Sequence, residues 1–207
     1  MDQLTLVIPA KKEKESLPDV LKELAPYKLK TIIVLEKHDY ETIDAIKDFD
    51  CEIIYQINKG YGDALILGLN NVKTDYFCIF NADGSFEPKE LEFMYKMAAE
   101  NNKDFIFGSR YMKGALSEDD TLITFIGNKI FSFIGNIFFG LNISDILYTF
   151  VLADTKKTKK LNLKEKDFAF CIELPILAKR LGNILISTPS YERPRIAGVK
   201  KVNAFKD

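Results

Sequence analysis

A chain of 207 residues, 47% apolar and 29% charged, has material for one large α/β domain with its own core, and its composition is not that of a disordered segment. A formal net charge of −1 argues against a dedicated nucleic-acid binder, whose surface would carry an excess of Lys and Arg. His38 is the single histidine, so a Ser-His-Asp triad or a His-based metal centre has almost nothing to work with, and any chemistry must rest on carboxylates, cationic side chains and backbone amides.

In chain order, Leu4 to Pro9, Thr31 to Leu35, Cys51 to Tyr55, Tyr76 to Phe80 and Asp104 to Gly108 are short β-branched or aromatic runs that read as strands. Between them, Ser16 to Leu24, Tyr40 to Phe49, Gly60 to Val72 and Pro88 to Glu100 space their apolar residues as helices do. This alternation predicts crossover connections and a mainly parallel sheet flanked by helices, an α/β fold. The chain enters a strand almost at once, so no secretory leader is expected. Cys51, Cys78 and Cys171 lie far apart in apolar contexts, as reduced thiols of a cytoplasmic protein would.

The second half breaks the rhythm. Leu122 to Ile143 is rich in Phe and Ile but interrupted by Asn128, Lys129, Ser132 and Asn136, which would be costly at mid-bilayer. One or two amphipathic helices on the core or in a membrane interface fit that pattern, with a subunit contact as the alternative. Phe170 to Arg180 reads as a helix and Ile184 to Ser187 as a strand. Six lysines between Lys156 and Lys166, and a basic stretch from Tyr191 onward, form solvated faces or meet phosphates or an anionic membrane. The chain reads as one domain, 1–207, whose halves 1–115 and 116–207 differ in rhythm.

Tyr76-Phe-Cys-Ile-Phe-Asn-Ala-Asp-Gly-Ser-Phe-Glu-Pro88 carries the most chemistry. It delivers Asn81 and Asp83 to the C-terminal end of a strand, where open α/β sheets bind ligands. Alternation at the strand end puts both on one side and Ala82 on the other, so two oxygen-bearing side chains can approach one hard cation. The alternative is a helix N-cap, a task for which Asp83 or Ser85 would serve. Glu13 and Glu36 follow the first two strands, placed for ribose or base donors or simply for the surface. Gly60-Tyr-Gly-Asp63 allows close backbone approach, yet lacks the glycine fingerprint of dinucleotide binders and the Lys-Ser/Thr ending of P-loops. Arg110, Arg195 and Lys201 suit a grip on pyrophosphate. Glu173, in the apolar run Phe170 to Leu174, must be paired or functional, and Asp145 is a cap or a site residue.

The ordered set of short motifs resembles the inverting, GT-A-type glycosyltransferases of family 2, most closely the dolichyl-phosphate or polyprenyl-phosphate sugar transferases. Val7-Ile-Pro-Ala-Lys-Lys-Glu13 matches the family's Val-Ile-Pro-Ala-Tyr-Asn-Glu, Lys59-Gly-Tyr-Gly-Asp-Ala-Leu65 its Lys-Gly-x-Gly-x-Ala-Leu, and Asn81-Ala-Asp83 its metal-binding Asp-x-Asp. Gly108-Ser-Arg-Tyr111, Ser144-Asp145, Ile172-Glu-Leu174 and the Arg-x-x-Gly-x-x-Lys pattern from Arg195 to Lys201 follow in the family's order, so the likeness runs over residues 3–202. Four departures stand out: Asn81 in place of the first Asp, Lys11-Lys12 in place of Tyr-Asn, Leu35-Glu36 in place of the paired Asp after the second strand, and Thr149-Phe-Val151 where an arginine is usual.

The resemblance implies a GT-A fold and transfer of a sugar from GDP-mannose or a UDP-sugar to a polyprenyl or dolichyl phosphate, with inversion. It implies a nucleotide-binding role for the half 1–115 and an acceptor- or membrane-facing role for the half 116–207. It implies Mg²⁺ or Mn²⁺ at Asn81, Asp83 and Ser85, and a donor bound by Pro9, Ala10, Glu13, Glu36, Lys59, Gly60, Asn81 and Ala82. Phosphates would be held by Arg110, Arg195 and Lys201. Asp83, Arg110, Asp145 and Glu173 are the candidate catalytic residues. The expected setting is peripheral, at the cytoplasmic face of a membrane, with no nucleic-acid partner and self-association left open. A saccharide acceptor, or a relative that binds nucleotide sugar without turnover, is the alternative.

Overall fold

The computed structural model describes residues 1–101 and 103–197. Its first half runs β1 (Leu4–Pro9), α1 (Leu17–Leu24), β2 (Lys30–Glu36), α2 (Tyr40–Ala45), β3 (Glu52–Gln56), α3 (Tyr61–Asn71), β4 (Tyr76–Ile79) and α4 (Glu90–Asn101). There follow β5 (Phe105–Ser109), β6 (Leu116–Ser117), α5 (Leu122–Phe139), β7 (Val151–Asp154), α6 (Thr155–Lys159), α7 (Phe170–Arg180), β8 (Leu185–Pro189) and β9 (Tyr191–Glu192).

Seven strands make one sheet in the order β3-β2-β1-β4-β7-β5-β8, parallel throughout except for β7, which is antiparallel to both β4 and β5. The continuous apolar runs follow from burial on both faces. Leu4, Leu6 and Ile8 of β1 pack with Leu17, Val20 and Leu24 of α1 and with Leu91 and Met94 of α4. Val7, Ile32 and Val34 face the other way, onto Ala64, Leu65 and Leu69 of α3 and into the layer of Phe170 and Leu174. At roughly 1.5–3 kcal/mol for each fully buried large apolar side chain, these two layers hold the sheet ends in place.

The helix expected over Tyr40 to Phe49 ends at Ala45, because Ile46 leaves helical geometry at φ −112° and turns into the core, 1% exposed. The Leu122 to Ile143 stretch holds a single helix, α5, which covers it as far as Phe139. Thr121 and Thr124 form a reciprocal capping box at its start, and Gly140 ends it in the left-handed conformation at φ 61°. Strand β7 and helix α6 stand where only a lysine-rich surface was legible. Asp154 caps α6 by accepting from the Lys157 amide, Lys157 pairs with Asp104, and Lys159 donates to the Val72 carbonyl. Because β7 runs against its neighbours, α6 lies at the N-terminal end of β4 and β5, whereas Lys166 lies beside Asp63 at the start of α3. The six lysines are therefore divided between the two ends of the sheet.

Helix α5 is inverted relative to an ordinary surface helix. Its polar residues Asn128 and Ser132 are buried, with Gly135, against the protein, while Ile123, Ile126, Ile130, Phe131, Phe133, Ile137 and Phe138 face outward. Among the described residues it is the helix long and apolar enough to cross a membrane, with a mean hydropathy of 1.5.

Candidate active site

Strands β2, β1 and β4 end side by side, and Pro9, Ala10, Glu36, Asn81 and Asp83 fall on that edge. A tight turn follows Asp83. Its Oδ1 accepts from the Ser85 amide at 3.0 Å and the Ser85 hydroxyl at 2.7 Å, and Gly84 takes φ 82°, a conformation that favours glycine. Asn81 joins this chain of oxygens by donating Nδ2–H to Ser85 Oγ at 3.3 Å. Ala82 points away, buried with Phe80 and Phe86. The second oxygen of Asp83 faces Arg195, whose Nη1 lies 3.2 Å from Oδ2. The segment carrying Arg195 is laced to the same turn: Arg193 donates its amide to the Ser85 carbonyl and Ile196 its amide to the Asp83 carbonyl. Lys201 lies outside the described residues.

The acidic residues at the neighbouring strand ends are engaged locally. Glu13 accepts from the Ser16 hydroxyl at 2.7 Å, and its own amide donates to Thr42 Oγ1, an arrangement that organises the start of α1. Glu36 pairs with Lys11 at 2.9 Å, and the hydrogen bond from Lys11 holds its carboxyl below the usual range. Both partners are well exposed, so the pair contributes little stability.

Gly60 and Gly62 permit a close approach by the chain itself. A Cβ on Gly62 would lie 2.2 Å from the Glu165 carbonyl oxygen, and one on Gly60 would lie 2.0 Å from that of Lys166. The 164–168 segment thus covers the start of α3, and Lys166 O accepts from the Asp63 amide at 2.9 Å. Glu173 holds that segment down: its carboxylate accepts from the Lys164 and Glu165 amides at 2.9 to 3.0 Å. Tyr61, between the two glycines, stacks on Phe168 and hydrogen-bonds Thr149 at 2.7 Å. Burial pushes its phenol well up, and its place at the first residue of α3 follows the C-terminal end of β3.

Arg110 and Asp145 form one buried unit. Nε and Nη2 of Arg110 donate to Oδ2 and Oδ1 of Asp145 at 2.8 and 3.1 Å, a bidentate grip, and Nη1 reaches Glu192 at 3.3 Å. The guanidinium lies 4.7 Å from the Tyr148 ring centroid and 5.2 Å from that of Tyr111. Burial lowers the Arg110 pKa, but Asp145 and Glu192 more than offset this and raise it. Asp145 is 0% exposed and also accepts from Asn128 on α5, so the network ties the inward polar face of that helix to the end of β5.

Four residues absent from the sequence-based set therefore stand in or beside the site: Tyr61, Asp119, Asn128 and Glu192. Asp119 accepts from Arg195 Nε at 3.0 Å, across the guanidinium from Asp83. Tyr61 carried a readable signal in its place between two glycines, and Asn128 in breaking an apolar run; Asp119 and Glu192 carried none.

Among the described residues no group of three or more His, Cys, Asp and Glu side chains converges to hold a metal ion by itself. The oxygens of Asp83, Ser85 and Asn81 nevertheless suit a hard divalent ion of the kind held by one or two carboxylates with substrate phosphates and water. The guanidinium already drawn to Asp83 Oδ2 marks the position as attractive to cations. A groove of about 750 Å³ runs beside α5, lined by Met112, Lys129, Ser132, Phe133, Asn136 and Ile186 among others.

A seven-stranded, mostly parallel sheet flanked by helices is a GT-A-like fold. The glucosyl-3-phosphoglycerate synthase of Mycobacterium tuberculosis, solved in complex with Mn²⁺, UDP and glucosyl-3-phosphoglycerate, has the same fold. It superposes with a TM-score of 0.68 at 12% identity, over 94% of this chain and 73% of that one. The chain belongs to Glycosyl transferase family 2, whose model matches residues 5–161. An uncharacterized protein of Methanocaldococcus jannaschii is 26% identical over 99% of this chain and 89% of its own length. The UDP-N-acetylglucosamine–dolichyl-phosphate N-acetylglucosaminyltransferase of Methanococcus voltae is 24% identical over 97% of this chain and 91% of its own.

Proposed function

We propose that this family 2 glycosyltransferase moves a sugar, with inversion, from a nucleoside-diphosphate sugar, GDP-mannose or a UDP-sugar, to a polyprenyl or dolichyl phosphate at the cytoplasmic face of a membrane. The observation that carries the lipid acceptor is the inverted helix α5, whose outward Phe and Ile residues adjoin a groove containing Lys129. An apolar face of this kind beside a cationic side chain matches a ligand with a hydrocarbon tail and a phosphate head. The Methanococcus voltae relative, named for a dolichyl-phosphate acceptor, supports the same reading. Attachment is peripheral, because α5 is bound to the domain by hydrogen bonds that Asn128 donates to Asp145 and Asn136 to the Ile143 carbonyl, and by one that the Ile146 amide donates to Ser132 Oγ. The free thiols of Cys51, Cys78 and Cys171 suit a reducing compartment.

A Mg²⁺ or Mn²⁺ ion held by Asp83, with Asn81 and Ser85, would offset charge on the departing diphosphate. Pro9, Ala10 and Asn81 border the donor at the strand ends beside Lys59, and Glu13 and Glu36 reach its base and ribose by exchanging Ser16 and Lys11 for it. The backbone at Ala82 shapes the floor, Gly60 lies beneath the 164–168 segment, and Arg195 with Lys201 grips phosphate. Arg110 and Asp145 hold α5 against the sheet, and Glu173 holds the 164–168 segment over α3. A phosphate monoester is largely ionised at neutral pH and needs no strong general base. That both carboxylates which could serve as a base, Asp145 and Glu173, are committed to protein donors favours a phosphate acceptor over a sugar hydroxyl.

The test is an acceptor panel. With radiolabelled UDP-N-acetylglucosamine and GDP-mannose in turn, label should pass to polyprenyl phosphate in detergent and extract into organic solvent. Label appearing only on free saccharides, or on neither class, would overturn the proposal.

A further inference from the structure

Arg195 stands on the one carboxylate oxygen that a divalent ion would need. Its Nη1 lies 3.2 Å from Asp83 Oδ2 and its Nε 3.0 Å from Asp119 Oδ2, so one guanidinium neutralises two acidic side chains that approach from different loops. The backbone on either side is fastened to the Asp83 turn, from Arg193 N to Ser85 O at 2.8 Å and from Ile196 N to Asp83 O at 2.9 Å. The Ile196 side chain lies over Gly84, where an added Cβ would be 2.5 Å from Ile196 Cδ1. A divalent ion at Asp83 would meet this positive charge within a few ångströms, and the two repel. Guanidinium is also the side chain best shaped to grip a diphosphate at two points.

We propose that Arg195 is the resident counter-cation of the donor site: it neutralises Asp83 and Asp119 in the empty protein and exchanges them for the donor's diphosphate, which opens Asp83 to the ion. Asp119 is the positioning residue that competes with the diphosphate for the guanidinium. This rests on the reading of Asp83 as the ion site. It makes nucleotide and ion binding mutually reinforcing, by the same factor in either direction.

The experiment measures Mn²⁺ binding to the full chain by the electron paramagnetic resonance of the free ion, and binding of UDP and GDP by calorimetry in chelator. Arg195→Gln should strengthen Mn²⁺ binding in the absence of nucleotide by about tenfold and weaken metal-free nucleotide binding by a similar factor. Arg195→Lys, which keeps the charge and loses the fork, should leave Mn²⁺ binding near the wild-type level while still weakening nucleotide. Asp119→Asn should strengthen metal-free nucleotide binding severalfold, an effect that vanishes in an Arg195→Gln background. Circular dichroism and urea midpoints establish that each variant is folded. If Arg195→Gln leaves nucleotide-free Mn²⁺ affinity unchanged or lower, the exchange is wrong even though Arg195 still binds phosphate. If Asp83→Asn keeps wild-type Mn²⁺ binding, the ion-site reading beneath it fails instead.

Discussion

Replacing Phe133 and Phe138 with Ser tests the outward face of α5. The two side chains are 64% and 74% exposed, so most of their apolar surface is available to a membrane and little of it holds the fold together. Full burial of a Phe side chain is worth roughly 1.5–3 kcal/mol, and scaling by exposure gives about 1–2 kcal/mol each, or about 3 kcal/mol for the pair. That corresponds to a loss of about 100-fold in partition onto vesicles. Ser and Phe have similar helix propensities, so the helix itself should survive. The assay is co-sedimentation with vesicles containing anionic lipid, alongside urea unfolding in their absence. The reasoning predicts a large loss of sedimentation with little change in urea midpoint. Equal sedimentation of a folded double variant would refute it, as would an unfolding penalty as large as the binding penalty, which would mean that the face packs against protein.

Asp145→Asn leaves Arg110 in its buried setting with only Glu192 for a charge partner and should cost about 3 kcal/mol, read as a lowered urea midpoint; a change below about 1 kcal/mol would show that the network carries little stability. Gly62→Ala places a Cβ 2.2 Å from the Glu165 carbonyl oxygen and should cost roughly 1–3 kcal/mol, with new protease cleavage within residues 162–168. Glu90 has its pKa raised chiefly by burial from a reference of 4.5, and its Oε2 is buried without a hydrogen-bond partner among the described residues. A raised folded-state pKa means that Glu90's contribution to stability is fully present below pH 4.5 and is lost as pH rises through the folded value. Glu90→Gln should therefore be at least as stable as the parent at pH 7 and lose that advantage below pH 4.5, and paired thermal melts across this range check the sign.

The parallel part of the fold was legible because its strands are short, mostly apolar runs separated by polar turns and helix-spaced segments. β1 agrees at both ends with the Leu4 to Pro9 expectation, and β2 to β5 lie within about a residue of theirs. β7 was not legible, since Val151–Asp154 is too short to show a period and owes its strand conformation to β4 and β5 on either side. The lysine run is largely solvated, as one reading of it expected, but its division was not legible, because a reversed strand and a following helix send its two parts to opposite ends of the sheet. At the site, Asn81 and Asp83 were readable from alternation at a strand end. The partners of Arg110 were not, since Asp145 and Glu192 are 35 and 82 residues distant and meet it only in three dimensions. Asp119 was hidden in an acidic loop with no spacing to distinguish it from a solvated surface.

The central claim, a nucleoside diphosphate held with an ion at the end of β4, is tested most directly by diffraction from crystals soaked with UDP or GDP and Mn²⁺. The account predicts an anomalous manganese peak in contact with Asp83, diphosphate beside it, and Arg195 turned from Asp83 to the phosphates. Manganese bound elsewhere, or the Arg195–Asp83 pair intact beneath a bound nucleotide, would contradict it.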